Sequence, residues 1–135
     1  MQITVNATVN SPVAQVWKLW NEAEHITNWC SASDDWHAPF AENNLVEGGK
    51  FKTTMAAKDG SFSFDFEGFY TRVIENKLIE YEMPDGRKVK IEFTGRGNET
   101  QIVESFEPEN TNPEEMQRDG WQAILNNFKK YAEGL

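Results

Sequence analysis

Few side chains of this sequence have types and spacings that could do chemistry. The two histidines, His25 and His37, lie twelve positions apart, and Cys30 is the single cysteine. Zinc sites need His, Cys or acidic ligands at short, characteristic spacings, so the sequence indicates no metal ion and no other cofactor. The pair Gly48-Gly49 also lacks the spacing of a nucleotide-binding loop.

Cys30 could act as a nucleophile only beside a base and in an electropositive setting. His25 lies five residues before it on a predicted helix, but the loop that follows is acidic at Asp34 and Asp35. We therefore expect a buried or incidental thiol rather than a reactive one.

A carboxylate on an inward strand face is the remaining candidate for acid–base chemistry. Asp65 and Glu67 alternate with phenylalanines, which places both acids on the opposite, solvated face of their strand. The predicted register turns Glu104 inward, so Glu104 is a weak candidate for general acid–base catalysis or for anchoring a ligand. An enzyme needs more than one such group, which argues against an enzyme.

Composition limits the class of protein that carries these groups. A chain of 135 residues fits one domain, and we assign residues 1–135 to a single unit. The net charge of -9 argues against nucleic acid, and no apolar run approaches the ~20 residues of a membrane span. One cysteine excludes an internal disulfide, which favours the reducing cytoplasm. Five Trp, nine Phe and three Tyr suit either a core or the lining of a pocket.

The hydrophobic pattern predicts an α+β chain. It indicates a strand, two short helices, six strands in a meander and one long helix. The predicted first strand covers 2–9, the first helix opens at Ser11-Pro12, and the second short helix covers about 22–29. A loop over 30–36 follows, then the six strands from 37 to 107 and the long helix from 113 to about 132. Ser11 and Asn112 are the predicted N-caps of the first and last helices. We expect a curved antiparallel sheet of about seven strands that wraps around the long C-terminal helix.

Turn signals predict the register of the hairpins. A two-residue turn at Asp59-Gly60 sets Met55 opposite Phe64, and one at Asn76-Lys77 sets Arg72 opposite Tyr81. Three-residue and four-residue loops at 84–86 and 95–98 complete the register. Read across the sheet, one row holds Ile74, Ile79, Ile91 and Ile102. The next holds Arg72, Tyr81, Val89 and Glu104, and a third holds Tyr70, Met83, Arg87 and Phe106.

The isoleucine row predicts a core layer, whereas the two mixed rows place polar groups on the core face. One interpretation is a cavity whose polar groups orient a bound molecule; the other is that these rows lie beyond the end of the helix and are solvated. Trp36 and Phe40 would form the mouth of such a cavity. Gly120, inside the long helix, indicates either the close approach of a bulky group or a tolerated defect. The predicted ligand-binding residues are Trp20, Trp29, Trp36, Phe40, Met55, Phe64, Phe66, Tyr70, Arg72, Tyr81, Met83, Arg87, Glu104, Trp121 and Leu125.

Short motifs along the whole chain resemble a known family. They are Ser11-Pro12-Val13, Val16-Trp17, Glu24-His25-Ile26, Trp29, Gly48-Gly49-Lys50-Phe51, Asp59-Gly60-Ser61, Gly68, Gly120-Trp121 and Leu125. With the order of elements, they are similar to the START-like (helix-grip) superfamily and, within it, to bacterial homologues of the activator of heat-shock protein 90 ATPase. The resemblance implies one helix-grip domain with a cavity between the long helix and the sheet.

The resemblance and the residues leave three functions open. The first is binding of a small hydrophobic or amphipathic molecule, with the protein a monomer or weak homodimer. The second is a chaperone-interacting module of the activator type. The third is a cyclase- or hydrolase-like enzyme using Glu104 with Tyr81. Eukaryotic activators carry a further N-terminal domain for chaperone binding, whereas this sequence begins at the first predicted strand, so we rank ligand binding first.

Overall fold

Seven antiparallel strands and three helices make up the computed structural model, which describes residues 2–135. The elements are β1 (Ile3–Val9), α1 (Val13–Asn21), α2 (Ala23–Trp29), β2 (Trp36–Asn43), β3 (Lys50–Ala57), β4 (Ser63–Ile74), β5 (Leu78–Glu82), β6 (Lys88–Arg96), β7 (Glu99–Phe106) and α3 (Glu114–Glu133). The sheet order is β1-β7-β6-β5-β4-β3-β2. The sheet curls around α3, which confirms the helix-grip α+β fold. None of the helices in this part of the chain is long and apolar enough to cross a membrane.

Strict alternation explains β1. Ile3, Val5, Ala7 and Val9 are buried and their neighbours are exposed, because β1 pairs with β7 along one edge of the sheet and packs its inner face against α3. The predicted strand is confirmed.

The predicted N-caps are wrong. Pro12 and Pro113 occupy the N-cap positions of α1 and α3, with extended backbone, and neither helix has a side-chain cap. Ser11 lies one residue too early in the chain and is buried, with its carbonyl accepting a hydrogen bond from Thr100 Oγ1 at 2.8 Å. The first turn of α3 instead carries Glu114 and Glu115, which suit the positive end of the helix dipole.

Two hairpins have the predicted register. Met55 pairs with Phe64 in β3–β4, and Tyr81 pairs with Val89 in β5–β6. The second hairpin closes on a three-residue loop in which Gly86 adopts a φ of 90°, a conformation that favours glycine.

The predicted β4–β5 register is wrong by one residue. Ile74 pairs with Leu78, so the loop has three residues, and Asn76 takes a left-handed φ of 63° that asparagine tolerates. The slip turns Arg72 to the outer, exposed face, opposite Glu80. A bulge at residue 71 then restores the inward direction of Tyr70, which pairs with Tyr81.

The predicted β6–β7 register is wrong by two residues. Arg96 pairs with Glu99 across a two-residue turn in which Gly97 has a φ of 63°, whereas we predicted a four-residue loop. A shift of two preserves the faces, so Glu104 still points inward, but its partner is Ile91 rather than Val89. The predicted row of four isoleucines therefore does not exist: Ile102 pairs with Phe93, and Ile74 is exposed. Of the predicted third row, only the pair of Met83 with Arg87 is present, with the Met83 amide donating to the Arg87 carbonyl at 2.8 Å. Tyr70 pairs with Tyr81 instead of Met83, and Phe106 pairs with Val89 instead of Arg87.

One face of α3 provides the centre of the core. Leu125 and Phe128 are fully buried and Ala132 nearly so, as the apolar stripe of the helix predicts. Phe128 packs edge-on against Trp20 of α1 and Trp29 of α2, with ring centroids 4.8 and 4.9 Å away. These contacts fasten the C-terminal half of α3 to the two short helices. The N-terminal half, from Gln117 to Trp121, lies over a space instead.

Candidate functional site

A cavity of about 420 Å³ lies between α3, the two short helices and the concave face of the sheet. That volume is within the range of small-molecule sites, roughly 300 to 1,000 Å³. Most of the residues predicted from the sequence line it: Trp20, Trp29, Trp36, Met55, Phe64, Phe66, Tyr70, Tyr81, Met83, Arg87, Glu104 and Trp121.

Three predicted residues do not line the cavity. Arg72 lies on the outer face because of the β4–β5 slip, and Leu125 packs into the core. Phe40 is 47% exposed and does not line the cavity. The pairing of β2 with β3 is irregular between His37 and Phe40, which changes the direction of the side chains that follow. Trp36, predicted in a loop, is the first residue of β2 and does border the cavity.

Glu104 occupies one position of an otherwise aliphatic row across the sheet. The row runs Val5, Glu104, Ile91, Ile79, Val73 from β1 to β4. The side chain lines the cavity and is 6% exposed. A carboxyl group in such a row weakens the fold, because the charged form loses its hydration. The folding pattern alone therefore gives no reason for an acid at this position.

Burial raises the pKa of Glu104 to about 8. Desolvation is the sole cause, so among residues 2–135 neither a hydrogen bond nor a positive charge stabilises the ionised form. At pH 7 the group is mostly protonated and can donate a hydrogen bond into the cavity. An ionised Glu104 would attract a cation strongly, because little water screens it.

Tyr81 and Tyr70 contribute two phenols with different roles. Tyr70 donates a hydrogen bond to Asn43 Oδ1, and Asn43 Nδ2 donates to the Asn21 carbonyl at 2.7 Å, which ties β4 to β2 and α1. Tyr81 is buried with no hydrogen bond to another described residue, and its pKa is raised by burial first and by the nearby Glu104 second. Tyr81 and Glu104 are thus two polar groups of the inner wall whose side chains make no hydrogen bond to another residue of the described part of the chain.

Cys30, at the end of α2, also lines the cavity. Burial, with a smaller contribution from the charge of Glu104, raises the thiol pKa to about 12, which agrees with the expectation of an unreactive thiol.

We expect native Cys30 to react with iodoacetamide at pH 8 at least about 100-fold more slowly than in the protein unfolded by urea, because the thiolate is the reactive form. Mass spectrometry of timed samples measures both rates. Equal rates in the folded and unfolded protein would contradict the assigned environment.

Nine Trp, Phe and Tyr side chains line the cavity. Trp121 of α3 stacks on Phe106 with centroids 4.1 Å apart and planes inclined by 8°, and its edge meets Phe66 at 5.9 Å. Opposite, Phe51 contacts Tyr81 at 4.8 Å and Tyr70 at 5.3 Å. The rings are therefore braced against one another, and the wall is shaped without a ligand.

Sequence reasoning missed several lining residues, among them the polar residues Thr53, Asn43 and Gln117 and the acids Glu42 and Glu109. Thr53 could have been found, because the correctly predicted β3–β4 register already placed it beside Phe66 on the inner face. Asn43 and Gln117 carry no comparable signal. Gly120 borders the cavity, and a Cβ built there meets nothing within 4 Å, so no bulky group approaches it.

A second polar group lies outside the cavity. Possible ligand atoms of Glu22, Glu24 and His25 lie within 4.8 Å of one another near the start of α2, a grouping that no zinc-type spacing in the sequence indicates. His25 Nδ1 is 2.7 Å from the Tyr131 hydroxyl and its Nε2 is 3.5 Å from Glu22. These contacts account for His25 as a packing residue between α2 and α3.

Comparison with known proteins places the chain among bacterial relatives. Residues 10–133 match the family described as Activator of Hsp90 ATPase homolog 1-like protein. The AHSA1-like protein of Aeromonas hydrophila is 40% identical, covers 99% of this chain and 93% of its own, and superposes with a TM-score of 0.93. A protein of Cytophaga hutchinsonii is 60% identical over 98% of this chain and 92% of its own, with a TM-score of 0.84.

More distant structures share the fold alone. A Nitrosomonas europaea protein is 19% identical, with 99% of this chain and 95% of its own covered, and has a TM-score of 0.85. No curated protein matches the sequence.

Proposed function

The chain belongs to the family of Activator of Hsp90 ATPase homolog 1-like proteins, and within that fold we propose that it binds a small hydrophobic or amphipathic molecule between α3 and the sheet. The observation that carries the proposal is Glu104, a buried carboxyl group without a partner that faces a cavity of about 420 Å³. A stable fold would place an aliphatic residue there, since each unpaired buried polar group costs stability.

The wall of the cavity supports the same proposal. Aromatic side chains supply apolar area for the body of a ligand, while Glu104 and Tyr81 supply polar groups that orient it. Mutually packed rings also lower the cost of binding, because the site needs little reorganisation. On the ground of the single cysteine, we place this role in the cytoplasm.

A matched pair of tryptophan variants tests the proposal. Thr53 and Thr54 are neighbours in β3; Thr53 is buried and lines the cavity, whereas Thr54 points outward and bonds Asp65 at 2.8 Å. We expect Thr53→Trp to weaken binding of a naphthyl-containing probe at least about tenfold by occupying the cavity, and Thr54→Trp to change it less than about twofold. Calorimetric titration of both folded variants measures the effect.

Two outcomes would count against binding in the cavity. One is equal affinity of the probe for the Thr53→Trp and Thr54→Trp variants. The other is the absence of any stabilisation of the wild-type protein by a broad panel of apolar small molecules, since a ligand that binds the folded state raises the melting temperature.

Interaction with a chaperone is the second candidate, favoured by the name of the family. Its structural support is an exposed aromatic group around the β3–β4 hairpin, where Phe62 and Phe64 lie about 6 Å from Trp36. Exposed apolar groups of this kind suit protein contacts. Stimulation of the ATPase of an Hsp90-type chaperone, lost in Phe62→Ser, would support this candidate, and no stimulation at high molar excess would remove it.

A further inference from the structure

Resting on the proposed function, we infer that the bound molecule is an organic cation: an amphipathic amine whose protonated nitrogen pairs with Glu104 while its apolar body lies among the aromatic rings. The inference goes beyond cavity binding, because it specifies that the ligand is a cation rather than a neutral molecule or an anion.

The charged residues of the cavity favour a cation. The acids that line it are Glu42, Glu104 and Glu109, whereas the arginine is Arg87. Arg87 Nε donates to Asp85 Oδ2 at 2.7 Å, so its charge is partly balanced by a carboxylate that does not line the cavity. An anionic ligand would therefore meet three acids and one partly balanced arginine, at a cost that grows with burial.

The aromatic lining favours the same class. Ring faces attract a cation within about 6 Å of the centroid, and the attraction is stronger where water is excluded. Trp121, Tyr81 and Phe66 all line the cavity together with Glu104. Edge-to-face contacts join Phe66 to both of the other rings, at 6.2 Å to Tyr81 and 5.9 Å to Trp121. An ammonium group beside Glu104 would thus have aromatic neighbours.

The titration of Glu104 makes the inference measurable. The other ionisable groups that line the cavity are Cys30 after α2, His37 and Glu42 on β2, Tyr70 on β4, Tyr81 on β5, Arg87 before β6, and Glu109 before α3, whereas the lining residues of α1, β3 and α3 include none. With a Glu104 pKa of about 8, the carboxyl group holds its proton at pH 7, so pairing with an ammonium ion must release it. Binding of a neutral molecule needs no such release.

Three probes with the same ring system separate the possibilities: naphthylethylamine, naphthylethanol and naphthylpropionate. We expect the amine to bind wild-type protein at pH 9 at least about tenfold more tightly than the alcohol, and the carboxylate to bind most weakly. Between pH 9 and pH 6 the affinity for the amine should fall by up to about 100-fold, because protons compete for Glu104. Calorimetry in buffers of different ionisation enthalpy should show about one proton released per amine at pH 7.

The variant Glu104→Gln keeps the shape of the side chain and removes its charge. We expect it to lose the preference for the amine and the pH dependence while it still binds the alcohol. Should this variant not fold, the pH profile and the proton release of the wild type still distinguish a cationic ligand from a neutral one. Alcohol binding as tight as amine binding, with no proton released, would overturn the inference and leave cavity binding intact. If none of the three probes binds, the inference and the proposed function both fail.

Discussion

Raising the pH from 5 to 9 is expected to lower the free energy of unfolding of the ligand-free wild-type protein by roughly 3 to 5 kcal/mol, and Glu104→Gln should remove that loss. The cause is the buried carboxyl group, whose pKa rises from 4.5 to about 8 on folding. Between these values the folded protein retains a proton that the unfolded chain has released. Each pH unit in this window therefore costs about 1.4 kcal/mol of stability.

The sign of this pH dependence follows from which protonation state of Glu104 the folded protein prefers. Stability from Glu104 is fully present below about pH 4.5 and is lost as the pH rises through about 8. Asp59, Asp85 and Glu133 have lowered pKa values, so their contributions are lost on acidification instead and lie outside this window. Glutamine resembles the protonated carboxyl, so the variant should match the wild type at pH 5 and exceed it at pH 9.

Urea unfolding at pH 5, 7 and 9 measures the effect, with Glu67→Gln as the control. Glu67 is a strand glutamate on the exposed face, and its replacement should leave the pH profile of the wild type unchanged. A wild-type profile that stays flat between pH 5 and 8, or one shared by Glu104→Gln, would show that Glu104 is not a desolvated acid.

Replacing Phe128 by alanine should cost about 3 to 5 kcal/mol, a large part of the 5 to 15 kcal/mol that stabilises a typical domain. Phe128 is fully buried, and its ring packs against Trp20 and Trp29. The truncation leaves a void at the junction of α1, α2 and α3, and it also loosens the inner end of the cavity, where both tryptophans lie.

Phe62→Ala is the matched control, since the same ring is 52% exposed at that position. We expect its cost to stay below about 1 kcal/mol, because exposed substitutions remove little buried area. Urea midpoints with unchanged slopes give both values. Similar costs for the two variants would contradict the assigned packing of α3.

The fold was predictable because its determinants are local. The alternation of Ile3, Val5, Ala7 and Val9 with polar residues indicates a strand with one buried face. The apolar stripe from Trp121 to Ala132 indicates a helix with one buried face. Glycine turns predicted two of the registers, since Gly60 and Gly86 adopt positive φ angles at the expected positions. Periodicity and turn chemistry are properties of short segments, so they can be inferred without tertiary contacts.

The registers that failed depended on less local effects. Asn76 lengthened one loop by a residue, so Arg72 turned outward although the turn itself had been located. A bulge at residue 71, which no sequence signal indicated, then returned Tyr70 to the inner face. Glu104 was placed on the correct face despite a two-residue error, because a shift of two preserves the side-chain direction. Its aliphatic neighbours, Ile91 and Val5, could be identified only from the true pairing. That pairing is what singles out Glu104 as the carboxyl group in an otherwise aliphatic row.

Intermolecular nuclear Overhauser effects between bound naphthylethanol and the protein test the central claim most directly. Binding in the cavity predicts contacts from the naphthyl protons to Met55 and Ile79 on the sheet and to the indole of Trp121 on α3, all of which line it. Contacts confined to the exposed rings of Phe62 and Phe69 would contradict it, because the probe would then lie on the outer surface and the cavity would not be a binding site.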